Sequence, residues 1–275
     1  MDDSSANKQG EESLFLDAKS SQESLNELRR EIVLAAHKSN EGHIPSAFSI
    51  LDLIYCVYFD ATKKYNFNFK TSDTFILSKG HGSLALYSVL SSAGYFSHDW
   101  INEFAKFESP FGGHPDRNKV NGVAASTGSL GHGLSIGIGI ALANKVNGKE
   151  HEVIILIGDG ELNEGSIWES LLLASGHNLG KITVIVDDNK SSERALSLGN
   201  LEEKFKSFGF ITNTINGHSH DQIVDSLIPN NLDRPKAIIA NTIKGFGVKI
   251  MENNAAWHHA TPTKIELDEI LSELE

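Results

Sequence analysis

The sequence predicts a three-layer α/β fold in which a mostly parallel sheet is flanked by helices. The first observation is a strand–turn–helix–strand unit across residues 153–190, where two β-branched apolar runs enclose a Gly-Asp-Gly turn and a helical pattern. The second is a buried-strand pattern at 74–78, which is again followed by a glycine-rich turn and a helix. Such units are typical of parallel strands joined by crossover helices.

Two candidate ligands follow neighbouring strands of the 153–190 unit. Asp159 lies in the turn after the run 153–157, and Asn189 follows the run 182–186. Ligands of open α/β sheets bind at the carboxyl ends of the strands, so the two side chains are expected to meet at one edge. A carboxylate and an amide oxygen suit Mg²⁺. A strand-ending turn without a ligand is the alternative interpretation.

The residues around Asp159 also suit a phosphate group. Gly158 and Gly160 would let the backbone approach a ligand closely. The helix N-terminus after the turn would favour negative charge. If the turn binds a ligand, these residues favour a metal ion together with a phosphate group.

Composition bounds the function. The 275 residues, 40% of them hydrophobic, can bury a large core in one α/β domain or two small ones. A formal charge of −12 argues against a nucleic-acid surface but permits a local basic site for phosphate. The single cysteine, Cys56, indicates a reducing compartment and is expected to be a buried, inert thiol. No signal peptide or apolar run of roughly 20 residues is visible, so we expect a cytoplasmic protein with no membrane partner.

The remaining elements can be placed in order. Residues 1–22 are polar and are expected to form a disordered leader, or an arm that orders on a partner. Helical patterns cover 23–38 and 265–275, and a further strand is expected at 237–240. The histidines His218 and His220 lie in a segment that we interpret as a turn and helix cap.

The turn at residue 159 resembles a known cofactor motif. Gly158-Asp159-Gly160 followed by Asn189 is similar to the thiamine diphosphate motif, in which Asp and Asn bind the metal that holds the diphosphate. The segment 161–165, with Trp168 and Glu169 after it, resembles transketolases, and more narrowly the N-terminal subunit of split transketolases. The resemblance implies a thiamine-diphosphate-binding fold over 23–275, with thiamine diphosphate and Mg²⁺ as cofactors.

The same resemblance assigns roles to further residues, in segments that follow the order of the family. It implies Asp159, Asn189 and the backbone carbonyl of Ser191 as metal ligands. It places cofactor contacts at His81, Gly128, Ser129, Leu130, Gly158, Asp159, Gly160, Asn189 and His258. It places the reaction centre at His43, His114 and His258, and a link between two cofactor sites across a dimer at Glu164. Taken alone, each of these histidine-containing turns has an ordinary loop interpretation.

The chain departs from the family pattern at several positions. Ile44 separates His43 from Pro45, and Gly113 replaces a proline. His259 stands where glycine is usual, and the loop at 190–199 lacks the glutamine found in split transketolases. These changes bear on the substrate-facing side of the site, because the metal motif itself is intact.

The resemblance implies transfer of a two-carbon ketol unit from a ketose or ketose phosphate to an aldehyde. The family's activating glutamate lies on a pyrimidine-binding domain, which follows the Trp-His segment in full-length transketolases. This chain stops soon after Pro262. We therefore expect a C-terminal, pyrimidine-binding partner subunit in a heterotetramer. The alternatives are an α-type subunit of a thiamine-dependent 2-oxo acid dehydrogenase and a non-catalytic subunit that binds thiamine diphosphate.

Overall fold

A five-stranded parallel sheet lies at the centre of the molecule. The computed structural model describes residues 21–193, 196–229 and 231–275. The strand order is β1-β2-β3-β5-β4, and every neighbouring pair is parallel. The strands are β1 Thr74–Leu77, β2 Val153–Gly158, β3 Ile182–Asp188, β4 Ile211–Asn216 and β5 Lys236–Asn241. The predicted α/β class and parallel sheet are confirmed.

Both faces of the sheet are covered by helices, because its central strands are apolar on both sides. In β2, Ile154 and Leu156 join one buried cluster, whereas Val153 and Ile155 join the other. Alternate residues of a strand point to opposite faces, so a strand buried on both sides is a continuous apolar run. β2 and β3 are accordingly buried along their whole length.

The first cluster packs the sheet against most of the helices. These are α1 Ser21–Ser39, α2 Ile44–Tyr55, α3 Thr62–Tyr65, α4 Ser83–Ser92 and α5 Trp100–Glu103, with α9 His220–Ser226 and α10 Lys264–Glu273 from later in the chain. The second cluster packs the opposite face against α6 His132–Val146, α7 Gly165–Gly176 and α8 Leu201–Ser207. Helix α1 begins at Ser21, two residues before the predicted domain. The rest of the predicted leader, residues 1–20, lies outside the described residues.

Helix α2 continues through the π-helical segment Cys56–Ala61 into α3. The resulting stretch Ile44–Tyr65 is 22 residues long and apolar enough to cross a bilayer by length and composition. The expectation that no apolar run reaches such a length was therefore wrong. Most of the stretch is buried inside the fold (89% of its most apolar window), as is usual for a core helix of a globular domain.

The register of the sheet brings the ends of the strands to one edge. Gly158 pairs with Asp187, and Asp188 pairs with Asn241. Asp159, Asn189 and Thr242 therefore leave β2, β3 and β5 side by side. Lys79 joins them, since β1 ends at Leu77 opposite Leu156. This edge carries the candidate site.

Candidate active site

A cavity of about 430 Å³ opens at the carboxyl ends of β1, β2 and β3. It is lined by His43, Lys79, His81, His114, Gly128, Leu130, Gly158, Asp159, Gly160, Glu161, Asn189, Ser191, Lys244 and His258. The structure thus brings together the predicted site residues except Ser129 and Glu164. Both of these are exposed and lie outside the cavity lining. A smaller cavity of about 200 Å³ lies near the amino ends of β2 and β3, and no predicted residue lines it.

Asp159 is the acidic centre of the cavity wall. Its carboxylate is only 3% exposed. Oδ1 accepts a hydrogen bond from the Gly160 N–H at 2.7 Å and from the Ser191 hydroxyl at 3.1 Å. Oδ2 accepts from the N–H and hydroxyl of Ser192 at 3.1 and 3.2 Å. These donors carry no net charge, so they leave the negative charge of the Asp159 carboxylate uncompensated. A bound cation would compensate it.

Asn189 is held in a defined orientation beside Asp159. Its Nδ2 donates to Asp187 Oδ2 at 2.9 Å, and its Oδ1 accepts from the Ser191 N–H at 3.0 Å. A carboxylate accepts hydrogen bonds only, so Asp187 fixes the nitrogen side of the amide. The amide oxygen consequently faces the loop that also carries Ser191.

Asp187 and Lys79 form a fully buried ion pair beneath this wall. Lys79 Nζ lies 2.5 Å from Asp187 Oδ2, and the two side chains are 2% and 0% exposed. Asp187 also accepts from the Ser49 hydroxyl at 2.9 Å and from the Thr242 hydroxyl. Sequence reasoning missed this pair. The available signal was a lysine directly after one buried strand and an aspartate inside another, since buried charges require partners.

Glu161 is a second buried acid that sequence reasoning missed. Glu161 is only 1% exposed. Its carboxylate accepts hydrogen bonds from the Ser78 hydroxyl, from the Gly131 N–H at 2.8 Å and from the Gly158 N–H at 3.3 Å. Burial raises the pKa of Glu161, although these hydrogen bonds oppose the rise. The side chain thereby ties three cavity-lining loops together.

Gly80 allows two of these loops to touch. A Cβ at this position would lie 1.7 Å from the backbone oxygen of Thr127. The Thr127 hydroxyl in turn donates to the Leu77 carbonyl at 2.6 Å. The turn that carries His81 is therefore seated directly on the loop that carries Gly128 and Leu130.

Imidazole rings form the opposite side of the cavity. The His43 ring centroid lies 5.5 Å from that of His81 and 5.5 Å from that of His258. Burial, together with neighbouring histidines, lowers the pKa of His43 to about 4. Burial also lowers the pKa of His81, with a further contribution from the charge of Lys79. Both rings are therefore neutral near pH 7 and can accept as well as donate a proton.

Lys244 brings a cation to the same wall. Its Nζ lies 3.0 Å from His258 Nδ1. Burial lowers the pKa of Lys244, with Lys79 adding to the effect, and burial together with Lys244 lowers the pKa of His258. His258 is exposed at the cavity mouth, and the charges of Asp187 and Asp159 oppose the fall in the pKa of Lys244.

His114 reaches the cavity from the segment 112–116. The Tyr87 hydroxyl donates to the Gly112 carbonyl at 3.0 Å, and the Ser83 hydroxyl donates to the Gly113 carbonyl at 2.9 Å. These two bonds anchor the segment to α4. A Cβ on Gly128 would lie 3.9 Å from the His114 ring, so this histidine faces the glycine loop across the mouth.

The comparisons with known proteins agree with this geometry. Residues 20–274 match the family model described as transketolase, thiamine diphosphate binding domain. The chain belongs to the transketolase family. Because this match covers nearly the whole chain, it favours the transketolase interpretation over that of a 2-oxo acid dehydrogenase subunit.

Relatives within the transketolase family include separate subunits and full-length enzymes. An apulose-4-phosphate transketolase subunit of Actinobacillus succinogenes is 35% identical over 90% of this chain and 92% of its own length. The 6-deoxy-6-sulfo-D-fructose transketolase subunit SqwG of a Clostridium species is 32% identical over 92% and 96%. The solved transketolase of Campylobacter jejuni matches with a TM-score of 0.83 and 28% identity, over 92% of this chain and 42% of that one. The chain thus spans less than half of that solved transketolase.

The donor set of this transketolase chain fits the cofactor that its family description names. Asp159 and Asn189 present hard oxygens, which suit Mg²⁺. The space in front of Gly160 is open, because a Cβ there would meet only Ser192, at 3.9 Å. Lys244 supplies a nearby positive charge for a diphosphate.

A second cluster of titratable groups lies outside this transketolase site. Ligand atoms of Cys56, Asp60 and His220 lie within 4.8 Å of one another. His220 contacts Asp60 at 3.1 Å and Asp52 at 3.8 Å, and despite burial the interactions with these two carboxylates raise its pKa to about 12. The imidazolium is thus already the cation of the cluster. Burial raises the pKa of Cys56 to about 12, so its thiol is buried and protonated, as predicted.

His218 belongs to the same structural network. Its ring stacks on Phe246 with centroids 3.6 Å apart, and its Nε2 accepts the Ile243 N–H at 2.9 Å. Nδ1 lies 3.3 Å from Asp52, which also pairs with Arg29 at 2.7 Å. The interpretation of His218 and His220 as a helix cap was wrong, because the N-cap of α9 is Ser219 and no side chain of the described residues caps it. The two histidines instead connect the start of α9 to Asp52 of α2.

Proposed function

We propose that this chain is the N-terminal, diphosphate-binding subunit of a heteromeric transketolase. It would transfer a two-carbon ketol unit from a ketose or ketose phosphate to an aldehyde acceptor. The observation that carries the proposal is the meeting of Asp159, Asn189 and four imidazoles around one cavity at the carboxyl edge of the sheet. The subunits named transketolase among its relatives support the same assignment.

The metal would be held by the Asp159 carboxylate, the Asn189 amide oxygen and the Ser191 backbone carbonyl. The existing contacts of Asp159 with the Ser191 and Ser192 hydroxyls support this, because they already draw the loop after β3 over the carboxylate. Gly160, His81 and Lys244 would contact the diphosphate. Bound thiamine diphosphate supplies a nucleophilic ring carbon and an electron sink for carbon–carbon bond cleavage.

The histidines would handle the substrate. His43 is neutral near pH 7, so its imidazole can accept a proton from a sugar hydroxyl through one ring nitrogen and donate through the other. His258 and His114 are exposed at the mouth, where they would orient the remaining hydroxyl groups. Excluding water from this cavity requires a cover above the mouth.

A partner subunit would provide that cover. Helices α6 and α7 lie side by side, with the Ser135 and Ser170 hydroxyls 2.7 Å apart, and expose Ile136, Leu172 and Leu173. Adjacent exposed apolar side chains indicate a contact surface. We assign this face to subunit contacts in a heterotetramer with a C-terminal, pyrimidine-binding transketolase subunit. Glu164, exposed beside the start of α7, would contribute to the link between sites.

The relatives suggest the kind of sugar. One is named for a ketose phosphate and another for a sulfo sugar, and both names describe a ketose with an anionic group. Lys190 and Lys244 line a smaller cavity of about 230 Å³ that adjoins the main one. We propose a ketose with a terminal phosphate or sulfonate as the donor.

The test is reconstitution with a candidate C-terminal subunit. Two-carbon transfer from a panel of phosphorylated, sulfonated and neutral ketoses is measured for the chain alone, for the partner alone and for both together. We expect activity only for the mixture, and only when thiamine diphosphate and Mg²⁺ are present. Asp159→Asn should abolish this activity. Cofactor binding without turnover on any donor would instead support a non-catalytic binding role.

A further inference from the structure

His259 occupies a place beside the cavity that the proposed reaction does not use. It follows His258 in the segment 254–262, and its side chain is 53% exposed. Its backbone φ is not positive, so an imidazole is accommodated here without left-handed strain. The position therefore accepts a large side chain, although the family pattern has glycine at this place.

The His259 ring makes two specific contacts. Its centroid lies 4.5 Å from that of His43, with the planes at 62°. Its Nε2 lies 2.9 Å from Glu41 Oε1. Glu41 is two residues before His43, so one side chain connects both ends of the turn that delivers His43 to the cavity.

Two other contacts join the same parts of the chain. The Thr261 hydroxyl donates to Asn40 Oδ1 at 2.7 Å, and His37 Nδ1 lies 2.8 Å from the Pro262 carbonyl. These contacts hold the segment 261–262 against the end of α1. Of the contacts made by His259, Thr261 and Pro262 with the segment 37–43, that of His259 is the one that reaches the His43 ring.

We propose that His259 is a positioning residue for His43. Anchored by Glu41, its ring packs edge-on against the His43 imidazole and fixes that ring at the cavity wall. The inference rests on the proposed function for the role of His43 in the reaction. The packing itself is independent of that role.

The charges around His43 provide a readout of this contact. Its ring is faced by His81 after β1, His114 in the segment 112–116, His258 and His259, and by Glu41 in its own turn. Burial and the neighbouring imidazoles lower its pKa, whereas Glu41 raises it. Removing the His259 ring reduces both the burial and the repulsion, so the His43 pKa should move upward.

The first experiment uses the full chain alone. Histidine ring resonances are titrated by NMR in the wild-type chain and in His259→Gly, with His43 assigned through His43→Asn. The matched control is Thr261→Val, which removes another bridge between the same segments without contacting His43. We expect the His43 midpoint to rise in His259→Gly and to stay unchanged in Thr261→Val. An unchanged midpoint in His259→Gly would overturn the proposal.

The second experiment uses the assembly with the partner subunit. An aromatic contact of this kind corresponds to a change of about threefold to tenfold in an equilibrium or rate. We expect His259→Gly to raise KM for the donor by that factor, with an unchanged apparent affinity for thiamine diphosphate. His259→Phe keeps the ring and should restore most of the loss. Equal losses in His259→Gly and Thr261→Val, or a matching loss of cofactor affinity, would show a general structural role and refute positioning.

The two experiments separate the two proposals. A wild-type assembly without two-carbon transfer would contradict the proposed function, while the NMR midpoints would still decide whether His259 holds the His43 ring. Conversely, an active assembly with unchanged midpoints would leave the function in place and remove the role of His259.

Discussion

At the scale of single residues, the site rests on charges that are removed from water. Asp187 is fully buried, and it pairs with Lys79 while it orients the Asn189 amide. Removing one partner of such a pair leaves an uncompensated buried charge, which costs several kcal/mol, whereas a solvent-exposed pair contributes little. The stability of this edge therefore depends on residues that need not touch the substrate.

We predict that Asp187→Asn lowers the free energy of unfolding by about 3–5 kcal/mol, because it leaves the Lys79 ammonium buried without its counter-ion. Urea unfolding of the chain measures the change. Asp225→Asn, which breaks the exposed pair with Lys64 at 2.7 Å, serves as the control and should have little effect. Similar stabilities for the two variants would contradict the assignment of Asp187 as a buried anchor.

The raised pKa of Glu161 predicts that the free energy of unfolding depends on pH. Burial raises its pKa above the ordinary value of 4.5, so the folded chain binds this proton more tightly than the unfolded chain does. Its contribution to stability is therefore complete below 4.5 and declines as pH rises through the raised folded pKa. Glu161→Gln, which cannot ionise, lacks this decline.

The stability of the wild-type chain relative to Glu161→Gln should consequently fall as the pH rises above 4.5 and through the raised folded pKa of Glu161. Chemical unfolding at several pH values measures the difference. The exposed neighbour Glu164, substituted in the same way, provides the comparison. A difference between wild type and Glu161→Gln that stays constant with pH would show that the Glu161 proton is not linked to folding.

At the scale of secondary structure, the strands and the turn after β2 were predictable, and their supporting contacts were not. The ends of the predicted strands at 74–78, 153–157, 182–186 and 237–240 all lie close to the observed bounds. Continuous β-branched runs identify such strands because both faces are buried. In contrast, the contacts of Asp187 with Lys79 and of Glu161 with Gly131 join residues far apart in sequence. A local pattern carries no information about which distant side chain supplies the counter-charge.

The same limit applies to the candidate site residues. Reasoning from strand ends predicted that Asp159 and Asn189 meet at one edge of the sheet, and both line the cavity. The segments of His43, His114 and Gly128 follow no predicted strand, so their place was implied by the family resemblance alone. Ser129 and Glu164 share those segments but lie outside the cavity lining. Within a tight turn, neighbouring side chains face different directions, so a segment-level match does not resolve which of them reaches the cavity.

The contact between two of these turns gives a prediction at this scale. Gly80→Ala places a methyl group 1.7 Å from the Thr127 backbone oxygen, and neither backbone segment can move without disturbing the cavity. We expect destabilisation of about 3 kcal/mol or more, at the upper end of overpacking costs. Thermal and urea unfolding measure it.

Gly176→Ala is the matched control. Gly176 ends α7, a Cβ there would meet nothing within 4 Å, and its φ is not positive. This substitution should stabilise the chain by about 0.4–1 kcal/mol, because it restricts the unfolded state. If Gly80→Ala were as well tolerated as Gly176→Ala, the close approach of the two turns would not exist in solution.

At the scale of the whole molecule, the parallel sheet gathers the chemistry on one edge and leaves the outer face of α6 and α7 apolar. Leu172 is 62% exposed and Leu173 is 53% exposed on α7, and Ile136 is 38% exposed on α6, the helix that α7 contacts through Ser170 and Ser135. Such a face is costly in water but becomes favourable once a partner covers it. The fold therefore combines a polar cavity rim with an apolar flank, and the proposed assembly requires both.

If the outer face of α6 and α7 is a subunit contact, a substitution on it should impair assembly and leave folding intact. Leu172→Asp changes an exposed side chain, so the isolated chain should keep its stability within about 0.5 kcal/mol. A carboxylate in the centre of a subunit contact would lose its hydration without gaining a partner, so complex formation should fail. Thermal unfolding of the chain and the mass of the reconstituted complex with its partner measure the two effects.

Phe107→Asp provides the control, because Phe107 is 93% exposed and lies in the connection after α5, a helix that packs on the other face of the sheet from α6 and α7. Both variants replace an exposed apolar side chain by a carboxylate. Only Leu172→Asp should abolish the heterotetramer and, with it, two-carbon transfer. Normal assembly of Leu172→Asp would show that the subunit contact lies on another surface. Loss of assembly in both variants would show that exposed apolar area in general, rather than this face, drives association.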